Sequence, residues 1–447
     1  MSLDVLKERG TPLERQERDW RDLVRVPYSK LDDDAFTRVR VILMNGIESE
    51  ALRFSHAAAR MNHPPIQKAL AMVRRVEQHQ QTLVNWLNPP DQDPLETTLG
   101  FEQVAIEVTA AVAQREPDPY LKEVYDFGLL EDFDHLYRYS ALYDRLYGRD
   151  PNVILQSYTD IVPGRPTVVE HRAPVDDLRR PYDRREAAPI TKIHATTIMA
   201  AEHQTHDYYM TIGPMFSDPI ARQLYAEIAS IEEQHVTQYE SISDPSETWI
   251  EKWLLHEMTE VYNYWSCYQS EPNPRIRAIW ERFLSWELGH LHGVMDVMRK
   301  YERRDPEALI PATLPAPIAF ESQREYVREA LERGLGLRAN GIAIVPTDEE
   351  SRDSIALRKQ LNREGSPSEI VAAGYQWRPG GELTAMPPVT ARVTAKPRDL
   401  PSTAAEESPF TSSRSKRGGA SMKRKKVPAR GGPRDKNGNG RRREATR

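Results

Sequence analysis

Six side chains in the second half of the chain have the types and the spacing to hold a pair of metal ions. Glu202 lies in TTIMAAEHQTHDYYM, Glu232 and His235 in ASIEEQHVTQY, Glu257 in WLLHEMTEVYNYW, and Glu287 and His290 in FLSWELGHLHGVM. Positions i and i+3 share a helix face, so each Glu-x-x-His aims a carboxylate and an imidazole at one point. Glu202 and Glu232 are 30 residues apart, as are Glu257 and Glu287, a spacing of two half-helices and a turn that returns the chain to the same depth. Four carboxylates neutralise two divalent ions, and carboxylate with imidazole suits iron or manganese. One Glu-x-x-His alone is commonplace on an amphipathic helix. The ordered set is not, and flanking Ile228, Ile231, Leu284, Trp286, Leu288 and Leu291 mark these faces as buried. Charges there need metal ions or protons to compensate them.

The first half carries an altered version of the set: Glu48, Glu77 with Gln80, Glu102, and Asp132 with His135. Glutamine is a weaker, neutral oxygen donor and aspartate is one methylene shorter, so this half reads as a reduced or vestigial second site. The alternative is a site shared between the halves, for example from Glu48, Asp132, His135, Glu202, Glu287 and His290. Glu260, at i+3 from Glu257, competes with it as a ligand. His203 and His206 flank Glu202; His206, one turn along, could be an extra ligand or a base but reads as surface polarity, as does Glu233, while His292 faces away from His290 and the nearby tyrosines read as bundle packing rather than electron carriers.

Helices must position these groups. Apolar residues recur at three- and four-residue intervals from about 35 to 300, and breakers such as Asn62–Pro65, Asn88–Pro94, Pro117–Pro119, Gly213–Pro219, Ser243–Pro245 and Pro272–Pro274 cut this zone into eight segments. The two halves repeat. Glu116-Pro117-Asp118-Pro119 matches Glu271-Pro272-Asn273-Pro274 at an offset of 155, as do Glu77 and Glu232, Glu102 and Glu257, and His135 and His290. The expectation is an all-α chain of two tandem four-helix bundles, residues 30–147 and 190–302. Residues 148–189 would be a surface linker, 303–390 a Pro-rich extension with helices near 320–334 and 348–363, and 391–447 a disordered basic tail.

The ligand pattern of Glu202, Glu232/His235, Glu257 and Glu287/His290 resembles that of the ferritin-like di-iron carboxylate superfamily, over residues 190–300 and more weakly over 35–147. The resemblance implies a ferritin-like bundle binding two iron ions (or manganese) that react with oxygen or peroxide. That would make the chain a non-haem di-iron oxidoreductase. Alternatives are a ferroxidase or iron-handling protein without organic substrate, and a non-enzymatic scaffold with a relic bundle and a basic recruiting tail. One feature departs from the family. Ferritin-like bundles join their second and third helices by a long crossover, yet His235 and Glu257 are only 22 residues apart, with Ser243-Asp244-Pro245 between them.

Composition bounds the rest. The chain has 447 residues, 29% of them charged, and a net charge of −6. Residues 411–447 hold 14 Lys/Arg against Asp435 and Glu444, a net of +12, which leaves −18 on the remainder. That tail could contact nucleic acid or another anionic partner. Cys267 is the single cysteine, which excludes internal disulfides and a cysteine-held iron site. No apolar h-region or membrane span is evident, so a cytoplasmic setting is expected. No Gly-rich nucleotide fingerprint appears, so electrons would come from an external donor. A homodimer is compatible with this reading.

Overall fold

Proline sets the starts of the helices. Six of the eight long helices begin on one, where a missing N–H costs nothing and the fixed φ already suits the helix. In four cases the residue before it is the cap. Asp93, Asp118, Asp218 and Asn273 each accept hydrogen bonds from the backbone N–H groups just beyond the proline. In the computed structural model, which describes residues 3–16 and 18–377, the long helices are α1 (Ala35–Arg60), α2 (Pro64–Asn85), α3 (Pro94–Ala113), α4 (Pro119–Tyr147), α5 (Pro189–Ile212), α6 (Pro219–Ser241), α7 (Trp249–Ser270) and α8 (Pro274–Tyr301). No described helix is long and apolar enough to cross a membrane.

Short turns pair the helices into four antiparallel hairpins: α1/α2, α3/α4, α5/α6 and α7/α8. The hairpins do not associate in the order of the sequence. α3 packs on α5 and α4 on α6, making bundle I; α1 packs on α7 and α2 on α8, making bundle II. The expected tandem arrangement is thereby corrected, because each bundle takes one hairpin from each half. α1, α3, α5 and α7 share a central layer, with α1 against both α5 and α3 and α5 against α7. At the α1–α5 crossing a Cβ on Gly46 would lie 2.5 Å from Gln204 Nε2, so any larger residue there would displace the Gln204 amide. Gln204 uses the closeness, donating to the Ile42 carbonyl at 2.8 Å.

Within this layout the duplication becomes reciprocal contact. Glu116, in the turn before α4, accepts from Thr191 Oγ1 at 2.6 Å and pairs with His194 Nδ1 at 2.8 Å, both on α5. Its counterpart Glu271, in the turn before α8, accepts from Thr37 Oγ1 at 2.7 Å and lies 3.6 Å from Arg40, both on α1. Each half grips the first helix of the other by the same side chain, as in an isologous interface.

The segment between α4 and α5, expected to wrap the surface as a linker, is instead partly core. Asp134 of α4 holds it, accepting from the N–H of Gly164 at 3.0 Å and from the N–H and hydroxyl of Thr167 at 2.7 Å each. Arg165, Glu170 and Arg172 of this segment are buried. Before α1, the chain lies along α8, where the Thr11 N–H reaches the Ser285 carbonyl at 2.6 Å. After α8 come α9 (Arg324–Gly334), a hairpin of β1 (Leu337–Asn340) and β2 (Ala343–Pro346), α10 (Arg352–Leu361) and α11 (Pro367–Ala372). The β-hairpin was not anticipated, although Asn340-Gly341, with Gly341 at φ 57°, is a turn signal. The basic tail expected over 391–447 lies outside the described residues.

Candidate metal centres

The six ligands expected to meet at one point are divided between the bundles. Glu202, Glu232 and His235 lie in bundle I, while Glu257, Glu287 and His290 lie in bundle II; among the described residues, no set of ligand atoms within 4.8 Å of one another draws on both. The first-half residues, expected to form a vestigial site, complete the two clusters. Bundle I brings together Glu102 (α3), Asp132 and His135 (α4), Glu202 (α5), and Glu232 and His235 (α6); bundle II brings together Glu48 (α1), Glu77 (α2), Glu257 and Glu260 (α7), and Glu287 and His290 (α8). The alternative shared set is corrected too: Glu48, Glu287 and His290 sit in bundle II, and Asp132, His135 and Glu202 in bundle I. Each cluster draws residues from both halves, with different partners. The cause is topological. Equal spacing fixes depth along a bundle, whereas the long 148–188 connection decides which hairpins face each other.

Bundle I has two groups of ligand atoms: Glu102, His135 and Glu232 in one, Asp132, Glu202, Glu232 and His235 in the other. Glu232 belongs to both. Its Oε1 is 3.0 Å from His135 Nδ1 and its Oε2 is 3.4 Å from His235 Nδ1. His235 Nδ1 is also 3.2 Å from Asp132 and 3.6 Å from Glu202. Both imidazoles thus turn Nδ1 inward, and each Nε2 is backed by a carboxylate outside the cluster: Glu170 at 2.9 Å for His135, Glu131 at 2.8 Å for His235. Such backing fixes ring orientation and raises ligand basicity. Glu131 is in turn paired with Arg165 at 2.8 Å and Arg172 at 2.6 Å. Glu102 Oε1 accepts from Tyr209 at 2.5 Å.

Every group in this cluster is buried. Burial pushes the Glu102 and Glu202 carboxyls well above the usual carboxylate range, and neighbouring carboxylates add to it. Burial also opposes charge on His135 and His235, but Glu170 and Glu232 for the first, and Asp132, Glu131 and Glu202 for the second, outweigh it and raise both. Burial opposes charge on Glu232 as well, but the hydrogen bond from His135 and the adjacent His235 ring outweigh it and hold this carboxyl well below the usual range. These shifts favour protons on four of the six groups, which offset the charge of the others. Yet among the described residues seven buried atoms of the cluster find no hydrogen-bond partner: Glu102 Oε2, both oxygens of Asp132 and of Glu202, Glu232 Oε2 and His235 Nδ1. Orphaned acceptors at this density are what a cation would satisfy. Four carboxylates and two neutral imidazoles fit two divalent ions.

Bundle II has a Glu77, Glu257, His290 group and a Glu48, Glu260, Glu287 group. His290 Nδ1 lies 2.9 Å from Glu287 and 3.7 Å from Glu257. Its Nε2 faces Gln16 Oε1 at 2.6 Å. Gln16 Nε2 donates to the Thr11 and Trp286 carbonyls, so the amide oxygen is left to accept from the ring. The backing here is neutral where bundle I has carboxylates. Gln80 donates to Glu287 and Tyr264 to Glu48. Glu260 is a member of the cluster beside Glu257, not a substitute for it.

Sequence reasoning missed Glu131, Glu170 and Gln16, which lie on no Glu-x-x-His motif; two of them come from segments without helical periodicity. The surface readings fared as follows. His203 pairs with Glu50 at 2.5 Å and Glu240 at 3.3 Å, Glu233 is exposed, and His292 contacts Arg9 and the Glu8 carbonyl. Comparison with family models, with curated proteins and with solved structures finds no match, so the reading of these centres rests on their own geometry.

Proposed function

We propose that bundle I is the dinuclear metal centre of a non-haem di-iron (or di-manganese) oxidoreductase acting on oxygen or peroxide. The observation that carries this is one cluster with a carboxylate from each of four helices, two histidines at i+3, and seven buried atoms lacking partners. The order hairpin, long connection, hairpin supports it, because this is how a ferritin-like bundle is threaded. Residues 148–188 are the crossover that the short Ser243-Asp244-Pro245 turn could not supply. That turn leads from one bundle to the other.

When bound, the metal pair supplies electrons and Lewis acidity. The chain supplies the rest. Glu102, His135 and Glu232 would hold one ion, and Asp132, Glu202, His235 and the shared Glu232 the other. Glu170 and Glu131 hold the Nε2 protons of His135 and His235, leaving each Nδ1 lone pair free. Arg165 and Arg172 neutralise Glu131, keeping it an acceptor. Tyr139, Tyr209, Tyr225 and Tyr239, all buried, keep water from the cluster. An external donor supplies electrons.

The test is metal analysis of the purified protein, with oxygen or peroxide consumption measured after iron loading. Two ions should be lost from the Glu232→Ala variant together with that consumption. A folded protein that cannot be loaded with iron or manganese sinks the proposal.

A further inference from the structure

The duplication maps the two clusters onto each other residue by residue at offsets of 154 and 155, and the mapping exposes one exchange. Glu102, His135 and Glu232 of bundle I correspond to Glu257, His290 and Glu77 of bundle II, so this position is the same in both. At the other position Asp132 and Glu202 correspond to Glu287 and Glu48, but His235 corresponds to Gln80 and Ala105 to Glu260. An imidazole has been removed and a carboxylate added in the same place.

We propose that bundle II is a second dinuclear metal centre, and that its Glu48, Glu260, Glu287 position, built from oxygen alone, retains a hard divalent cation such as Mn²⁺ against Zn²⁺ better than the imidazole-bearing positions do. The observation that points to a cation is Glu260 itself. Its side chain is buried, and neither oxygen has a hydrogen-bond partner. Glu48 Oε2, Glu77 Oε2, Gln80 Oε1 and Glu257 Oε2 are buried and unpartnered as well. No arginine or lysine forms an ion pair with any of the five carboxylates among the described residues. Imidazole favours zinc and iron, whereas an all-carboxylate set favours manganese, magnesium or calcium. Gln80 cannot restore the lost nitrogen, because an amide nitrogen is a donor only, and here it donates to Glu287. Five carboxylates against one imidazole also leave the cluster one charge more negative than bundle I. This inference stands apart from the oxidoreductase reading, since it concerns other residues and needs no turnover.

The full-length protein is stripped of metal, loaded anaerobically with Mn²⁺, challenged with an equal concentration of Zn²⁺, and analysed for both metals per chain. The expected result is uptake of two ions by each bundle, with exchange at the three imidazole-bearing positions and Mn²⁺ retained at one. Gln80→His should make that last ion exchange too. Glu260→Gln should lose it while raising the melting temperature of the metal-free protein, a readout that also shows the variant is folded. Glu232→Ala should empty bundle I and leave the bundle II ions in place. Uptake limited to two ions that vanish in Glu232→Ala overturns the second centre and leaves the first. Uptake limited to two ions that survive Glu232→Ala overturns the first and leaves the second. Complete exchange in the wild type, or no change of selectivity in Gln80→His, overturns the oxygen-only position.

Discussion

Replacing Glu170 by glutamine isolates the contribution of one backing charge to the metal centre of bundle I. The carboxylate is buried and its Oε2 is 2.9 Å from His135 Nε2, while Oε1 has no partner. Among the described residues its one ion pair is that to His135. Glutamine keeps the shape and leaves an amide oxygen to accept from Nε2, so the ring stays oriented and only the negative charge is lost. Removing such a partner weakens metal binding roughly 10- to 100-fold, about 1.4–2.7 kcal/mol. Glu170→Ala should weaken it further, because it also leaves a buried N–H unsatisfied at about 1–3 kcal/mol. Calorimetric titration of the metal-free protein with Mn²⁺ reads both effects, and only the bundle I ions should weaken. Isotherms that superimpose on the wild type for both variants would refute the assignment of Glu170 as the group that holds His135.

Metal uptake by bundle I should release protons and strengthen as pH rises, because Glu102, Glu202, His135 and His235 all hold protons above their usual ranges; a pH-indicator titration that detects no release contradicts this. Glu107, in neither cluster, accepts from Thr159 at 2.5 Å and from the Gln323 N–H at 2.7 Å, and burial pushes it up to about 7. An acid raised on folding binds its proton more tightly in the native state, so stability falls as pH climbs from the unfolded value of 4.5 to about 7. Glu107→Gln should therefore match the wild type near pH 4 and exceed it by up to about 3 kcal/mol at pH 8, seen as melting curves that diverge with pH. Glu271→Ala, which strips partners from Thr37, Trp280 and the buried Arg40, should destabilise by about 3–5 kcal/mol; a loss below about 1 kcal/mol in urea unfolding would mean the cross-half grip is idle.

Much of this was legible in the residues. Asp-Pro and Asn-Pro pairs marked where helices begin, because cap and φ restraint act within a few residues. The Glu-x-x-His motifs marked the helix faces that meet in the clusters, because i and i+3 share a face. What the spacing could not carry was partnership. Glu202 and Glu257 occupy equal depths on similar helices, and nothing local to either says that one faces Glu102 and the other Glu48. That choice is made by the 148–188 segment, whose own instructions are dispersed: Gly164 fits because it lacks a Cβ against Leu130, and Thr167 because Asp134 accepts from it twice. Glu170 and Gln16 were invisible for the same reason. Each acts on a histidine that is distant in sequence, 35 and 274 residues away, from a stretch with no periodic pattern to place it.

Because each half lends a hairpin to both bundles, neither half can assemble a complete set of ligands by itself. A single copy could do so only by exchanging hairpins with a twin, and every replacement would then appear in both pockets simultaneously. Covalent fusion removes that constraint. Positions 80 and 235 are now separate letters of one gene product, free to hold glutamine in one pocket and histidine in the other, so a symmetric architecture can support two unlike chemistries.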